Sequence, residues 1–257
     1  MGKRTLLYHG DCLKEMQKIP EHSIDMILCD LPYGTSACRW DNIISFDKLW
    51  KQYERIIKDT GAIVLFSVQP FTSKLILSND KLYKYNWYWL KNNAANFLNK
   101  RYQPGKIVED ICVFGKSATS YSSKGVNMKY VPQMEAGKPY VTKNCNKYGL
   151  SSSIRSEIKK VETVNDGVRY PNNVLKFSSD KKKIHPTQKP VALLEYLIKT
   201  YTNENDIVLD NCMGSGSTGV ACIKTGRKFV GIELDNEYFD LAKRRIRKAE
   251  EKYGRPS

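Results

Sequence analysis

The 257-residue sequence lacks long apolar runs, and no stretch approaches the roughly 18 apolar residues that a membrane-spanning helix needs. Its first residues, MGKRTLLYHGDC, lack the apolar core of a secretory signal peptide. We therefore expect a cytoplasmic protein with no membrane partner. With 41% hydrophobic residues, a chain of this length can bury one sizeable core and carry a smaller attached region.

The cysteines also lack a familiar pattern. None of the seven forms a CxxC pair, the spacing that would begin a zinc site or a redox motif. Several lie in apolar runs, which favours small buried thiols. The sequence therefore predicts no metal site.

Acidic residues are scarce, since 27 Asp and Glu stand against 42 Lys and Arg, a formal net charge of +15. Such a charge attracts polyanions, and nucleic acid is the leading candidate partner. Residues 116–183 hold 14 Lys and Arg but 5 Asp and Glu, a net +9, with tyrosines set among the lysines. A solvated insertion fits this composition. The tyrosines favour a nucleic-acid surface, because aromatic faces stack on bases while ammonium groups meet phosphates.

Strands and helices alternate before that segment. Apolar runs at residues 24–29 and 62–67 predict buried strands, and 86–90 with 111–114 are weaker candidates. Between the first two runs, apolar residues recur at helical spacing and predict a core-facing helix that Gly61 ends.

The alternation resumes after it. Pro190 opens a helix, residues 207–210 form a strand, a glycine loop leads into a helix over 214–226, and a strand at 228–233 precedes a last helix at 236–253. This order predicts an α/β fold, a mainly parallel sheet with helices on both faces.

The stretch LCDLPYG places Asp30 at the end of a buried strand. Open α/β sheets bind their ligands at the carboxyl ends of their strands. Asp30 is therefore a candidate site residue whose partner is not evident from its neighbours in the chain.

The stretch IVLDNCMGSGSTG begins at Ile207 and places Gly214, Gly216 and Gly219 in a GxGxxG pattern between a strand and a helix. Glu233 ends the next strand, near the spacing at which an acid binds a ribose diol. Alone, this pattern suggests a nicotinamide-dependent oxidoreductase.

Asp210 argues against a dinucleotide, because a carboxylate would repel a pyrophosphate but would suit a cationic ligand. The loop also comes late in the chain and leaves little sequence for a second half of a dinucleotide-binding sheet. S-adenosylmethionine, which carries a sulfonium, an ammonium and a ribose, suits these residues better.

DLPY and the glycine loop together resemble the amino-group DNA methyltransferases, whose catalytic motif is (D/N/S)PP(Y/F), and most of all their β group. That group has its catalytic motif first, its target-recognition region in the middle and its cofactor loop last. Five blocks follow this order and span most of the chain. They are GDCLKEM from residue 10, DLPYGT from 30, HPTQKP from 185, DNCMGSGST from 210 and VGIELD from 230.

The resemblance implies a Rossmann-like fold of S-adenosylmethionine-dependent methyltransferases with a circularly permuted motif order. It divides the chain into a catalytic part at 1–115, an inserted basic target-recognition region at 116–183 and a cofactor-binding part at 184–257. One departure is Leu31, which stands where the family has its first proline. In the family that proline contributes its backbone carbonyl, which leucine also has. The family's usual PFxGSG is NCMGSG here.

The resemblance also implies the roles of site residues. The Asp30 carboxylate and the Leu31 carbonyl would accept hydrogen bonds from the target amino group, Pro32 would fix the turn, and Tyr33 would offer a face to the flipped base. The residues expected to hold the cofactor are Asp11, Cys12, Asp30, His185, Thr187, Lys189, Asp210, Gly214, Gly216, Ser217, Thr218 and Glu233. Asp11, His185, Ser217 and Thr218 have structural alternatives as helix caps or core residues.

We therefore expect a site-specific methyltransferase that acts on adenine in double-stranded DNA, since aspartate at the first motif position favours adenine in the family. Methylation of the cytosine amino group, of RNA or of a protein glutamine, and a non-catalytic DNA-binding module remain alternatives. A homodimer and a cognate restriction endonuclease are further expected partners.

Overall fold

A computed structural model describes residues 4–34, 42–95, 97–120, 125–143, 162–180 and 188–254. The chain divides into two compact units, residues 1–131 with 173–257, and residues 132–172. The strands, in chain order, are β1 (Thr5–His9), β2 (Ile24–Asp30), β3 (Ile57–Ser67), β4 (Tyr83–Ala95), β5 (Lys106–Phe114), β6 (Glu135–Ala136), β7 (Tyr140–Lys143), β8 (Glu162–Asn165), β9 (Val168–Arg169), β10 (Val174–Lys176), β11 (Ile207–Asp210) and β12 (Lys228–Glu233).

The helices are α1 (Cys12–Glu15), α2 (Phe46–Ile56), α3 (Phe71–Ser78), α4 (Val191–Tyr201), α5 (Ser217–Lys224) and α6 (Asn236–Tyr253). Short 3-10 turns cover Met16–Lys18 and Phe97–Asn99. None of the helices in the described part of the chain is both long and apolar enough to cross a membrane.

The larger unit is built on one eight-stranded sheet in the order β1-β12-β11-β2-β3-β5-β4-β10. Within this sheet, β5 alone pairs antiparallel with both of its neighbours. All other pairs are parallel. The predicted α/β fold with a mainly parallel sheet is confirmed.

Helices cover both faces of this sheet. On one face, buried residues of α4, α5 and α6 pack against Met26, Val64 and Phe229. On the other face, α2 and α3 pack against Ile27 and Leu65. Because the central strands are buried on both faces, their sequences are continuous apolar runs without alternation. Those runs are what predicted the strands.

The prediction that Gly61 ends the first long helix is wrong. The helix ends at Ile56, and Gly61 lies inside β3, which already begins at Ile57. A Cβ at Gly61 would lie 2.8 Å from the Asp25 carbonyl oxygen and 2.8 Å from the Ile57 side chain. The glycine therefore permits close packing of β2 against β3, and it does not cap a helix.

The edge strands were not predicted. β1 pairs with β12 at one edge, and β10 pairs with β4 at the other. Both are short and partly exposed, so they lack the long apolar run that identifies a central strand. β4 and β5 also extend beyond their predicted ranges of 86–90 and 111–114.

The smaller unit contains two antiparallel pairs, β6 with β9 and β7 with β8. The guanidinium of Arg169 lies 4.6 Å from the centre of the Tyr140 ring. This unit falls inside the predicted target-recognition region, whereas β10, also inside that region, belongs to the main sheet. The three predicted segment boundaries stay predictions.

Candidate active site

The neighbouring parallel strands β1, β12, β11 and β2 end at one edge of the sheet. Asp11 follows β1, Glu233 ends β12, Asp210 ends β11 and Asp30 ends β2. Carboxylates far apart in sequence therefore share the edge where sheets of this kind bind ligands.

Asp30 is held by two donors. Its Oδ1 accepts a 2.5 Å hydrogen bond from the Tyr33 hydroxyl, and its Oδ2 accepts a 2.6 Å hydrogen bond from Nζ of Lys189. The Asp30 side chain keeps 25% of its surface exposed. The carboxylate is thus fixed from both sides while part of it faces solvent.

Core packing fixes the residues of the DLPY motif that follow Asp30. Leu31 is buried in the core together with Phe71. The Tyr33 ring packs on Phe71 at 5.0 Å between ring centres. Burial, and then the charge of Asp30, raise the pKa of Tyr33 well above its usual value. The hydroxyl therefore remains a donor at physiological pH.

Lys189 lies between two acids. Its Nζ is 2.6 Å from Asp30 Oδ2 and 3.5 Å from Oε2 of Glu109, and Glu109 also forms an ion pair with Lys91. Burial alone would lower the pKa of Lys189, but the charges of Asp30 and Glu109 outweigh burial and raise it. Sequence reasoning predicted Lys189 as a cofactor ligand and missed its contact with Asp30.

Asp210 is buried, with 4% of its surface exposed. Its Oδ1 accepts a 3.1 Å hydrogen bond from the Cys212 amide, and the Thr218 side chain also donates to it. Burial raises the pKa of Asp210 to about 7 despite these bonds. Within the described ranges, no lysine or arginine forms an ion pair with Asp210, so a cationic ligand would stabilise its charged form.

Glu233 ties the end of β12 to the glycine loop. Its Oε2 accepts a 2.7 Å hydrogen bond from the Gly214 amide, and its Oε1 accepts a 2.9 Å bond from the Asp235 amide. Burial raises the pKa of Glu233, and the backbone donors oppose that effect. The backbone therefore orients this carboxylate.

Two loop glycines have positive φ angles, +49° at Gly214 and +75° at Gly216. A Cβ at Gly214 would meet no atom of the described residues within 4 Å, whereas a Cβ at Gly216 would lie 2.9 Å from Cβ of Ala242. Gly214 thus leaves open space beside Glu233, and Gly216 lets α5 pack closely on α6.

The start of α5 completes the loop. Ser217 and Thr218 are buried in its first turn. Arg245 donates hydrogen bonds to the Ser215 carbonyl at 2.5 Å and to Oγ of Ser217 at 3.3 Å. The Tyr53 hydroxyl donates a 2.5 Å bond to Oδ1 of Asn211, which fixes the other end of the loop.

Asp11 caps the N-terminus of α1, which is the structural role that the sequence allowed beside a cofactor contact. Its Oδ1 accepts hydrogen bonds from the amides of Leu13 at 2.9 Å and Lys14 at 3.1 Å. The adjacent Cys12 is near Cys212, and a hydrogen bond from the Cys212 thiol lowers the pKa of Cys12. The loops after β1 and β11 therefore meet.

The predicted residues His185 and Thr187 lie outside the described residues. Sequence reasoning also missed Glu109 and Lys91. The signal for Glu109 was the acidic pair that it forms with Asp110 in the otherwise apolar strand IVEDICVF. Within the described part of the chain, no group of His, Cys, Asp and Glu side chains is arranged to hold a metal ion.

These features fit S-adenosylmethionine. No described residue fills the space at Gly214, so a ligand can approach the backbone there, and Glu233 presents a carboxylate to hydroxyl donors. Asp210, which forms no ion pair with a described lysine or arginine, suits a cation. A pyrophosphate would instead meet several carboxylates at this edge of the sheet.

Comparisons with known proteins agree with this assignment. The family described as "DNA methylase" matches residues 24–244. DNA adenine methyltransferase YhdJ of Escherichia coli (strain K12) is 29% identical, over 93% of this chain and 82% of the relative. Type II methyltransferase M2.LlaDCHI of Lactococcus lactis subsp. cremoris is 29% identical, over 96% of this chain and 90% of the relative.

Solved structures give the same result. The crystal structure of the M1.HpyAVI–SAM complex is 27% identical, covers 94% of this chain and 99% of its own, and has a TM-score of 0.60. The cytosine-N4-specific PvuII DNA methyltransferase matches at a TM-score of 0.66, over 99% of this chain and 93% of its own. At 18% identity, this second match shows the fold alone.

Proposed function

This chain belongs to the DNA methylase family of S-adenosylmethionine-dependent N6/N4 methyltransferases, and from that premise we propose that it methylates the N6 amino group of adenine at a specific site in double-stranded DNA. The observation that carries the proposal is the position of Asp30. This carboxylate ends β2, is oriented by Tyr33 and Lys189, and lies at the same sheet edge as the glycine loop.

The chemistry requires acceptors at this point. The lone pair of an exocyclic amino nitrogen is delocalised into the ring, so the nitrogen is a weak nucleophile. Hydrogen bonds from its two hydrogens to the Asp30 carboxylate and the Leu31 carbonyl draw it toward tetrahedral geometry and free the lone pair. When bound, S-adenosylmethionine supplies the electrophilic methyl group.

The target base must leave the duplex, because a stacked amino group cannot reach Asp30. Pro32 restricts the turn that follows β2. Tyr33 is fixed between Asp30 and Phe71 and forms one wall of the proposed base pocket. We assign the catalytic roles to Asp30, Leu31, Pro32 and Tyr33.

The proposed cofactor site spans the ends of β1, β11 and β12. Glu233 would accept hydrogen bonds from the ribose hydroxyls, Asp11 would lie near the adenine, and Asp210 would face the positive methionine end. The other proposed contacts come from Cys12, Asp30, His185, Thr187, Lys189, Gly214, Gly216, Ser217 and Thr218.

Residues 116–183 are the proposed target-recognition region. Their net charge of +9 supports contact with phosphates, and the Arg169–Tyr140 pair offers a cation beside an aromatic face.

The similarity to type II methyltransferases supports a cognate restriction endonuclease as a partner. We further propose a homodimer and a cytoplasmic location.

Adenine is favoured over cytosine by the aspartate of DLPY, because family members that modify cytosine more often have serine there. The similarity to an adenine methyltransferase supports this choice. Transfer to the cytosine amino group is the second candidate, and a DNA-binding module without activity is the third.

Expression in bacteria that lack DNA methylation tests the proposal. Nucleoside analysis should detect N6-methyladenine, long-read sequencing should place it in one recognition sequence, and Asp30→Ala should remove it. N4-methylcytosine alone would rule out adenine as the target. A wild-type protein that binds DNA but neither binds S-adenosylmethionine in calorimetry nor methylates DNA would support the non-catalytic module.

A further inference from the structure

We infer that Glu109 and Lys91 are positioning residues for methyl transfer, because they hold the Lys189 ammonium against Asp30 and so orient the carboxylate before the base arrives. The inference rests on the proposed function, which makes Asp30 the acceptor of an amino hydrogen. It assigns roles to two residues outside the sequence blocks of the family.

The contacts form a line of alternating charge across the sheet. Lys91 on β4 pairs with Oε1 of Glu109 on β5, whose Oε2 lies 3.5 Å from Nζ of Lys189. Lys189, just before α4, reaches Oδ2 of Asp30 on β2 at 2.6 Å. The Lys189 and Glu109 side chains are only 10% and 13% exposed, so water screens these charges weakly.

Glu109 acts on Lys189 through charge. Its Oε2 is buried and has no hydrogen-bond partner within the described residues, and the 3.5 Å contact with Lys189 exceeds an ordinary hydrogen bond. Burial alone would raise the pKa of Glu109, but the charges of Lys189 and Lys91 outweigh burial and lower it. For stability alone, apolar packing would often serve as well as a buried ion pair. A role in arranging the charges around Asp30 accounts for its presence.

Lys189 fixes the rotation of the carboxylate. With Nζ on Oδ2 and the Tyr33 hydroxyl on Oδ1, the plane of the Asp30 carboxylate is set before substrate binds. The Phe66 ring lies 5.0 Å from Nζ and limits its movement. Small errors in the placement of a reacting group reduce rates strongly, so this orientation matters for transfer.

The same contacts keep Lys189 charged. Asp30 and Glu109 face its ammonium directly, while Tyr33 and Lys91 lie one contact further away. Burial lowers the pKa of Lys189, and the two acids more than offset burial. Removal of the charge of Glu109 therefore lowers the pKa of Lys189.

Glu109→Gln tests the inference, since it keeps the shape and removes the charge. We expect the single-turnover rate to fall about tenfold at pH 7.5. We also expect the pH–rate profile to gain an alkaline limb, a fall in rate that begins at a lower pH than in the wild type, because Lys189 loses its proton more readily without the charge of Glu109. The rate is measured at saturating S-adenosylmethionine, because Lys189 is itself a proposed cofactor contact and a change at Glu109 can weaken cofactor binding.

Three further variants distinguish a loss of Lys189 positioning from a general structural effect of the substitution. Lys91→Gln should slow transfer without the alkaline limb, because Glu109 keeps its charge. Glu109→Gln/Lys189→Arg should lose the limb, since arginine does not titrate there. Asp206→Asn is the control for the loss of one ion pair, because Asp206 pairs with Lys129 at 2.7 Å, is 18% exposed and precedes β11. It should leave both rate and pH profile unchanged.

An NMR titration of ¹³Cε-labelled lysine, with the Lys189 signal assigned through Lys189→Arg, measures the charge of Lys189 without turnover. If the wild type shows no methyl transfer, the proposed function fails, and this titration still tests the link between Glu109 and Lys189. If the wild type is active but Glu109→Gln matches it in rate, pH profile and Lys189 titration, the inference is wrong and the proposed function stands.

Discussion

The Tyr33 hydroxyl donates a 2.5 Å hydrogen bond to Oδ1 of Asp30, so the last residue of the DLPY motif holds the first. The Tyr33 ring is in turn fixed by Phe71 in the core. Packing beneath the sheet edge therefore contributes to the orientation of the catalytic carboxylate.

Tyr33→Phe should keep the ring packing and remove the donor. A hydrogen bond to a charged group contributes about 1.5–3 kcal/mol, so we expect the single-turnover rate to fall by about tenfold or more. Binding of DNA should change little, because the aromatic wall remains. An unchanged rate would mean that Lys189 alone suffices to orient Asp30.

The ends of the central strands could be predicted from the sequence, but the contacts between residues at those ends could not. Asp30 and Tyr33 are three residues apart, so their proximity follows from the motif. Asp30 and Lys189 are 159 residues apart, and they meet only because the strand order returns the chain to β2. Local periodicity carries no information on that order.

Glu109 shows the same limit more clearly. Its position near Asp30 depends on the antiparallel β5 lying beside β3, which the alternation of strands and helices does not predict. Gly61 illustrates a second ambiguity. A glycine after an apolar helix fits either the end of that helix or a strand that packs closely on its neighbour, and local sequence does not distinguish the two. Packing between elements decided both cases.

Leu31 tests whether the motif's second position acts through its backbone. Leu31→Ala removes a side chain that is 3% exposed, so we expect a loss of about 2–4 kcal/mol in the free energy of unfolding. Because the carbonyl remains, the transfer rate of the folded protein should stay within a few-fold of the wild type.

Urea unfolding and single-turnover assays at low temperature measure these two effects separately. Leu77→Ala is the control, since Leu77 is 77% exposed and its loss should alter neither quantity. A folded Leu31→Ala protein with no activity would show that the leucine side chain itself is needed.

The loop glycines should respond differently to alanine. Gly214→Ala strains the backbone by about 1–2 kcal/mol, and its Cβ projects into a space that no described residue fills and that we assign to the cofactor. Gly216→Ala adds a contact of 2.9 Å with Ala242 and should lose about 1–3 kcal/mol more.

Calorimetry with S-adenosylmethionine and thermal unfolding separate the two glycines. Gly226→Ala is a suitable control, because Gly226 also has a positive φ of +74° and the nearest atoms to its Cβ would be those of Glu204, at an ordinary contact distance of 3.6 Å. It should lose stability through strain alone and bind the cofactor normally. If Gly214→Ala also binds normally, the open space is not part of the cofactor site.

Asp210 should link stability and cofactor binding to pH. Its pKa is about 7 in the folded protein against an ordinary value of 3.8, so folding favours its protonated form. The stability that this provides is complete below about pH 4 and is lost as the pH rises through 7. Asp210→Asn should therefore match the wild type near pH 4 and be more stable at pH 8, by up to about 4 kcal/mol.

Cofactor binding should show the opposite dependence, because a positive ligand favours ionised Asp210. Affinity of the wild type for S-adenosylmethionine should rise as the pH increases from 6 to 8, with protons released on binding. Asp210→Asn should bind more weakly at pH 8 and show a flatter pH dependence. Calorimetry in buffers of different ionisation enthalpy measures the proton release, and equal release from both proteins would exclude Asp210 as the contact for the cofactor's positive charge.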